Sequence, residues 1–364
     1  MSRPTQIIID LPAIRHNCQI AARLAPHAQV VAMVKADAYG HGATQVAKAL
    51  EPQVAKFGVC CIEEAQTLRQ AGVNKPIVLI EGCFSAEEYQ LAAQINCELL
   101  IHTEQQISQL LASKSAFRFT IWLKLDTGMH RLGIDIEKTA AVVQALQASN
   151  KIEKLILTSH FASADELNGS FTSQQMFRFE QVVSKLKALN AGAFDISLAN
   201  SAAVLAWPQS HQDWIRPGIM LYGISPFSDH QQQADELVPV MHFCSKVIAL
   251  REVKQGEYVG YGNTWQAKRS SVIATIAAGY GDGYPRTAPS GTPVLIKGHR
   301  AELAGRVSMD MLSVDVTDLT AVEIGDHVEL WGAALDVNEV ARFAGTNGYE
   351  LVTRMPPRAK RFYL

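Results

Sequence analysis

The sequence has no block of like charge. Lysine and arginine number 33 and aspartate and glutamate 35, a formal net charge of −2. Neither sign gathers into a tail or patch of the kind that binds nucleic acid or a membrane surface. No uninterrupted apolar stretch is long enough to span a bilayer. Residues 1–10 hold no apolar secretory core and no small-residue cleavage site, so a cytoplasmic protein is expected. The six cysteines, Cys18, Cys60, Cys61, Cys83, Cys97 and Cys244, lie in apolar context without metal-type or redox-type spacing. They read as buried thiols in a reducing compartment. Among 11 histidines there is no HExxH, and paired CxxC and EF-hand loops are also missing. Asp126, His130, His160 and Asp165 lack metal-site spacing, so no metal is expected. The run Gly279-Tyr280-Gly281-Asp282-Gly283 opens no helix, which excludes a dinucleotide fingerprint. It reads as a tight turn, with Tyr280 and Arg286 flanking a pocket entrance. Tandem repeats and low-complexity tracts are absent.

What is present is length and alternation. A chain of 364 residues exceeds the usual single domain. Asp10 is an N-cap candidate before a helix that ends at Pro26. Short apolar runs then follow at 30–34, 57–61, 77–81, 98–101, 119–125, 155–160, 194–199 and, more weakly, 213–216. Helical patterns separate them at 43–50, 62–70, 86–94, 103–112, 138–148 and 173–189. Eight such units in roughly 230 residues predict an α/β architecture, a closed (β/α)₈ TIM-like barrel. After about Asp235 the texture changes to short β-like runs at 241–253, 271–278, 292–297, 302–306, 312–316 and 326–330, with one helical stretch at 337–344. This predicts a mostly antiparallel β domain. The expected partition is a barrel domain over 1–232 and a C-terminal β domain over 233–364, joined through the Gln- and Asp-rich segment 228–236.

The polar residues at the strand ends carry the chemistry. Lys35, Lys124, His160, Asn200 and Arg216 each fall at or just past an apolar strand, at the barrel mouth where catalytic groups assemble. Lys35 ends the run Val30-Val31-Ala32-Met33-Val34 and leads into a glycine-rich loop. A desolvated amine there suits Schiff-base chemistry; a lysine that merely reaches solvent is the simpler alternative. The loops after strands seven and eight commonly hold phosphate. Here they supply Ser201 and Gly218. Lysine at strand one, arginine at strand eight and a phosphate cradle beside it suit pyridoxal 5′-phosphate (PLP).

These motifs resemble the alanine racemase family, PLP-dependent enzymes of fold-type III. The resemblance rests on VKADAYGHG at 34–42, KLDTGMHRLG at 124–133, HFASAD at 160–165, NSAA at 200–203, RPGIMLYG at 216–223, YGNTW at 261–265, AGYGDGYPR at 278–286 and GRVSMD at 305–310. It implies interconversion of L- and D-alanine, supplying D-alanine for peptidoglycan or consuming it. Lys35 is then the PLP attachment site and one acid/base, with Tyr261 of the partner subunit as the other. Cofactor contacts would come from Tyr39, His160, Asn200, Ser201, Arg216, Gly218 and Ile219, with Arg216 at the pyridine nitrogen. Arg131 and the partner's Met309 would meet the substrate carboxylate. His160 would link Arg216 to Tyr261, Asp310 would lie near that tyrosine, and Asp165, Tyr280 and Arg286 would line the access corridor. Lys124 matches a lysine that is carbamylated in some members. A C-terminal tyrosine that touches the phosphate in some members aligns with Pro357. The implied assembly is a homodimer with shared sites.

Two high-pKa groups on opposite faces suit removal and return of a proton at one carbon. Rival readings are a fold-type III decarboxylase, which would carry a C-terminal catalytic cysteine, and a PLP-binding homeostasis protein, which would lack the β domain. Cys244 is the last cysteine, and the residues after Asp235 argue against the second.

Overall fold

The computed structural model describes residues 3–113 and 117–364. Among these, eight strands close a parallel barrel: Gln29–Met33, Lys56–Val59, Ile77–Leu79, Cys97–Ile101, Phe119–Asp126, Ile152–Thr158, Asp195–Ser197 and Trp214–Ile215. Each pairs in parallel with the next, and the last pairs with the first. The expected apolar runs hold all eight. Most strands stop a residue or more short of the expected end, so His160, Asn200 and Arg216 sit in loops just beyond them and Lys35 opens the short helical turn Lys35–Tyr39. Lys124 lies within its strand.

Local chemistry sets the helices outside the barrel. Asp10 caps Leu11–Leu24 by accepting the Ala13 N–H at 2.9 Å. Thr103 caps Glu104–Ala112 through the Gln106 N–H at 3.1 Å. Such caps satisfy donors that have no partner inside the helix.

The barrel interior contains a charged plug that strand patterns did not reveal. Buried Lys56 pairs with buried Glu98. The Trp122 indole N–H donates to Glu98 Oε2 at 2.7 Å, and Lys56 Nζ lies 4.4 Å from the Trp214 ring centroid. Val31, Met33, Val78, Leu100 and Ile156 pack around them.

The second domain is one mostly antiparallel sheet in the order Ser271–Ile276, Leu312–Asp315, His299–Leu303, Pro293–Ile296, His327–Trp331, Met241–Val253, Gln6–Ile9, Lys360–Tyr363. Met241–Val253 also pairs with Ser271–Ile276. The partition by sequence order needs one amendment: Gln6–Ile9, which precedes the barrel, runs antiparallel to Met241–Val253 and parallel to Lys360–Tyr363. A four-residue strand whose partners lie at the far end of the chain leaves no local signal. Buried Asn17 ties the domains together. Its amide donates to the Leu221 and Val238 carbonyls and accepts the Val238 N–H, at 2.8–3.0 Å. Among the described residues, no helix is long and apolar enough to cross a membrane.

Candidate active site

The chain turns sharply on leaving the first barrel strand. Ala36, Asp37, Ala38 and Tyr39 all adopt positive φ of 52–53°. L-residues avoid this region because Cβ crowds the following carbonyl. The turn points Lys35 and Tyr39 into a cavity of about 580 Å³ at the C-terminal mouth of the barrel. Lys124, Arg131, His160, Asn200, Ser201, Arg216, Gly218 and Ile219 line the same cavity. The expected strand-end residues therefore converge.

Arg216 is held without a carboxylate. Its Nη1 donates to Ser197 Oγ at 2.6 Å and Thr158 Oγ1 at 3.0 Å, and its Nη2 to the carbonyls of Ser159 and Leu198 at 2.6 and 3.2 Å. None of these four bonds reaches His160, the relay expected between Arg216 and Tyr261. Burial pulls the guanidinium down to about 10, so it stays protonated at neutral pH. His160 is held well below the ordinary histidine value, by burial first and then by Arg216, Lys124, Arg131 and Lys35. Its imidazole is neutral. Lys124 is buried and pulled down to about 8 by desolvation and then by Arg216 and Arg131, against the opposing pull of Asp126.

The same cavity is also lined by a small-residue cradle. Asn200 Oδ1 caps the helix Ser201–Ala206 through the Ala203 N–H at 3.1 Å. Ser201 Oγ accepts the N–H groups of Gly218 and Met220 at 2.8 and 3.3 Å. A Cβ on Gly218 would stand 2.5 Å from Tyr39 Oη, so the bare glycine makes room for that hydroxyl. Burial pushes Tyr39 up to about 12, which keeps it a donor. It stacks on Tyr222 with centroids 4.8 Å apart. Hydroxyls, a glycine backbone and a nearby amine fit a phosphorylated aldehyde.

Sequence reasoning missed several contributors. Pro357 does not line the cavity; from the C-terminal segment, Tyr349 and Thr353 do, on the helix Gly348–Thr353. The Tyr349 ring lies 6.4 Å from that of Tyr39. The acceptors around Arg216, namely Thr158, Ser159 and Ser197, were also overlooked, although a run of hydroxyl residues at two adjacent strand ends was visible.

The remaining expected residues lie elsewhere. Tyr261, Met309, Asp310, Tyr280 and Arg286 sit on the β domain and none lines the cavity. Tyr261 is 70% exposed and Met309 53%. Their loops form one face. The Tyr280 and Gly281 N–H groups bond the Ser308 and Met309 carbonyls at 3.0 and 2.8 Å, and Gly260 and Gly305 lie back to back near Val259 and Arg306. Asp310 is paired with Arg358. Burial, then Tyr39 and the exposed Asp165, push the Tyr349 phenol up.

A barrel with a lysine and a phosphate-type cradle at its mouth, followed by a β domain, has the parts by which an amino-acid enzyme would hold a phosphorylated aldehyde. The match to known proteins narrows it. Residues 9–226 match the family model "Alanine racemase, N-terminal domain" and residues 240–363 match "Alanine racemase, C-terminal domain". The alanine racemase of Pseudoalteromonas atlantica is 50% identical, covering all of both chains. The crystal structure of the biosynthetic alanine racemase of Pseudomonas aeruginosa superposes with a TM-score of 0.94 at 49% identity, over 100% of this chain and 99% of that one. That of Bartonella henselae alanine racemase with covalently bound pyridoxal phosphate gives 0.89 at 31% identity, over 99% of each chain. The chain belongs to the alanine racemase family and is an amino-acid racemase, an isomerase.

Proposed function

We propose that the protein interconverts L- and D-alanine by a two-base reaction with PLP held at Lys35, supplying or consuming D-alanine in the cytoplasm. The observation that carries this reading is the convergence of Lys35, Tyr39, Ser201, Gly218 and Arg216 on one cavity. Lys35 would anchor the aldehyde. Tyr39, Ser201, Gly218 and Ile219 would hold the phosphate beside Asn200, and Arg216 would donate to the ring nitrogen. Bound PLP supplies a sink for the electrons left at the α-carbon when its proton departs.

The chain's own residues manage that proton and the substrate. The Lys35 amine would serve one face of the α-carbon and Tyr261 of the partner subunit the other, so that the substrate need not turn over. Arg131 and Met309 of the partner subunit would fix the carboxylate. Arginine can only donate, so Arg216 would favour an unprotonated ring nitrogen and a weaker sink. Neutral His160 adds no competing charge. Asp165, Tyr280 and Arg286 would border the access route and Asp310 would support the second base.

Tyr261 and Met309 lie outside their own chain's cavity and on an exposed face, which supports a homodimer in which each subunit completes the other's site. The working partition is 1–232 and 233–364, with the strand Gln6–Ile9 joined to the second domain. Lys124 fits carbamylation. Its depressed pKa provides neutral amine, which adds to carbon dioxide and releases a proton, leaving an anion beside Arg131 and Arg216.

The test is purified protein incubated with PLP and L-alanine. The expected result is a visible absorbance that is absent from Lys35→Ala, together with D-alanine formed by the wild type. Colourless protein without turnover would refute the assignment.

A further inference from the structure

The left-handed turn after Lys35 is held from outside itself. Four consecutive non-glycine residues with φ near +52° do not persist without support. Several bonds brace its far end. Asp37 Oδ1 accepts the Ala43 N–H at 2.8 Å, and Arg361 Nε donates to the Gly40 carbonyl at 2.8 Å. His41 Nδ1 lies 2.8 Å from the Tyr39 carbonyl and 3.1 Å from that of Ala38, so this nitrogen carries the proton. At the end next to the lysine, the brace is Glu64. Its Oε1 accepts the Ala36 N–H at 2.7 Å, and its Oε2 accepts the Cys60 N–H at 2.7 Å.

Glu64 stands in the first turn of the helix Ile62–Gln70, whose N-cap Cys61 makes no side-chain cap bond. An acidic residue at this position ordinarily reaches back to cap its own helix. Here neither oxygen bonds the N-cap N–H: one takes the N–H of Cys60, the residue before the cap, and the other leaves the helix altogether. One carboxylate thus joins the residue after Lys35 to the chain just beyond the neighbouring barrel strand.

We propose that Glu64 is a positioning residue for Lys35. By fixing the first peptide of the strained turn, it sets the distance between the lysine amine and the Tyr39 hydroxyl, the two ends between which a phosphorylated aldehyde must fit. The proposal rests on the PLP reading for its consequence, but its structural half does not need the cofactor.

The test compares wild type, Glu64→Gln and Glu64→Gln with Ala36→Gly. Glutamine keeps one acceptor and loses the other. Loss of one charged hydrogen bond should weaken PLP affinity about tenfold. Glycine tolerates the left-handed conformation, so Ala36→Gly in the double variant should recover at least about threefold of that loss. Amide exchange on cofactor-free protein should quicken across residues 36–40 in Glu64→Gln. Exchange that quickens only within residues 60–70, or a loss of affinity that Ala36→Gly leaves untouched, would reduce Glu64 to a local brace at the start of its own helix and overturn the proposal. Should Glu64→Gln fail to fold, Glu64→Asp carries the same readouts, since its shorter carboxylate cannot span both N–H groups. Wild-type protein that binds no PLP would instead refute the function, and the exchange result would still decide the role of Glu64.

Discussion

Lys124 and Arg216 are cations placed where cations are costly. Lys124 has its amine pulled from 10.5 to about 8, by burial first and then by Arg216 and Arg131. A folded pKa below the unfolded value means that the folded state binds fewer protons between about pH 8 and pH 10.5. Stability therefore rises with pH through that window, and the penalty is fully present below it. An uncarbamylated protein should accordingly gain thermal stability from Lys124→Met at pH 7, and should gain it again when the wild type is given bicarbonate. Differential scanning calorimetry with and without bicarbonate checks both, and carbon-13 NMR would show the carbamate. For Arg216, the four neutral acceptors around it leave its charge uncompensated by any carboxylate among its hydrogen-bond partners. Arg216→Glu should favour a protonated ring nitrogen and raise transamination relative to racemisation. An unchanged ratio of keto acid to D-alanine would count against that role. At this scale the sequence was informative because buried cations at strand ends are rare enough to mark a site.

Among the elements, the left-handed turn and the barrel plug show what patterns reveal and what they hide. The motif 34–42 marked the turn by its glycines, and Gly40 shows why they are there. Its φ is +80°, and a Cβ would lie 1.9 Å from the Val352 carbonyl oxygen on the helix that carries Tyr349. Gly40→Ala should therefore displace that helix, destabilise the protein by about 2 kcal/mol or more and weaken PLP binding, as measured by denaturant unfolding and cofactor titration. The plug was illegible. Lys56 opens its strand and Glu98 sits in an apolar run, and nothing local says that closure of the barrel brings them together. Glu98→Ala would leave Lys56 buried and unpaired, at a cost of about 3–5 kcal/mol in urea unfolding, while Lys56→Met with Glu98→Leu should recover most of it. Strand positions were readable because parallel strands buried on both faces give continuous apolar runs. The pairing of Gln6–Ile9 with the β domain and the place of Tyr349 were not, because both depend on contacts between distant parts of the chain.

The whole molecule presents its two sets of predicted site residues in two places. The barrel mouth gathers the lysine, the arginines and the phosphate cradle. The β domain carries Tyr261, Met309 and Tyr280 exposed, and Tyr258 and Met311 of the same domain are exposed as well. Exposed aromatic and methionine side chains in one area mark a contact surface. An isologous dimer would bring each face to the other subunit's cavity. The decisive measurement mixes inactive Lys35→Ala subunits with inactive Tyr261→Phe subunits under conditions that allow exchange. Each mixed dimer then holds one site with both bases intact, so equal mixing should restore about one quarter of wild-type racemase activity. If exchange is shown to occur and activity does not return, each site is complete within one chain and the shared-site account is wrong.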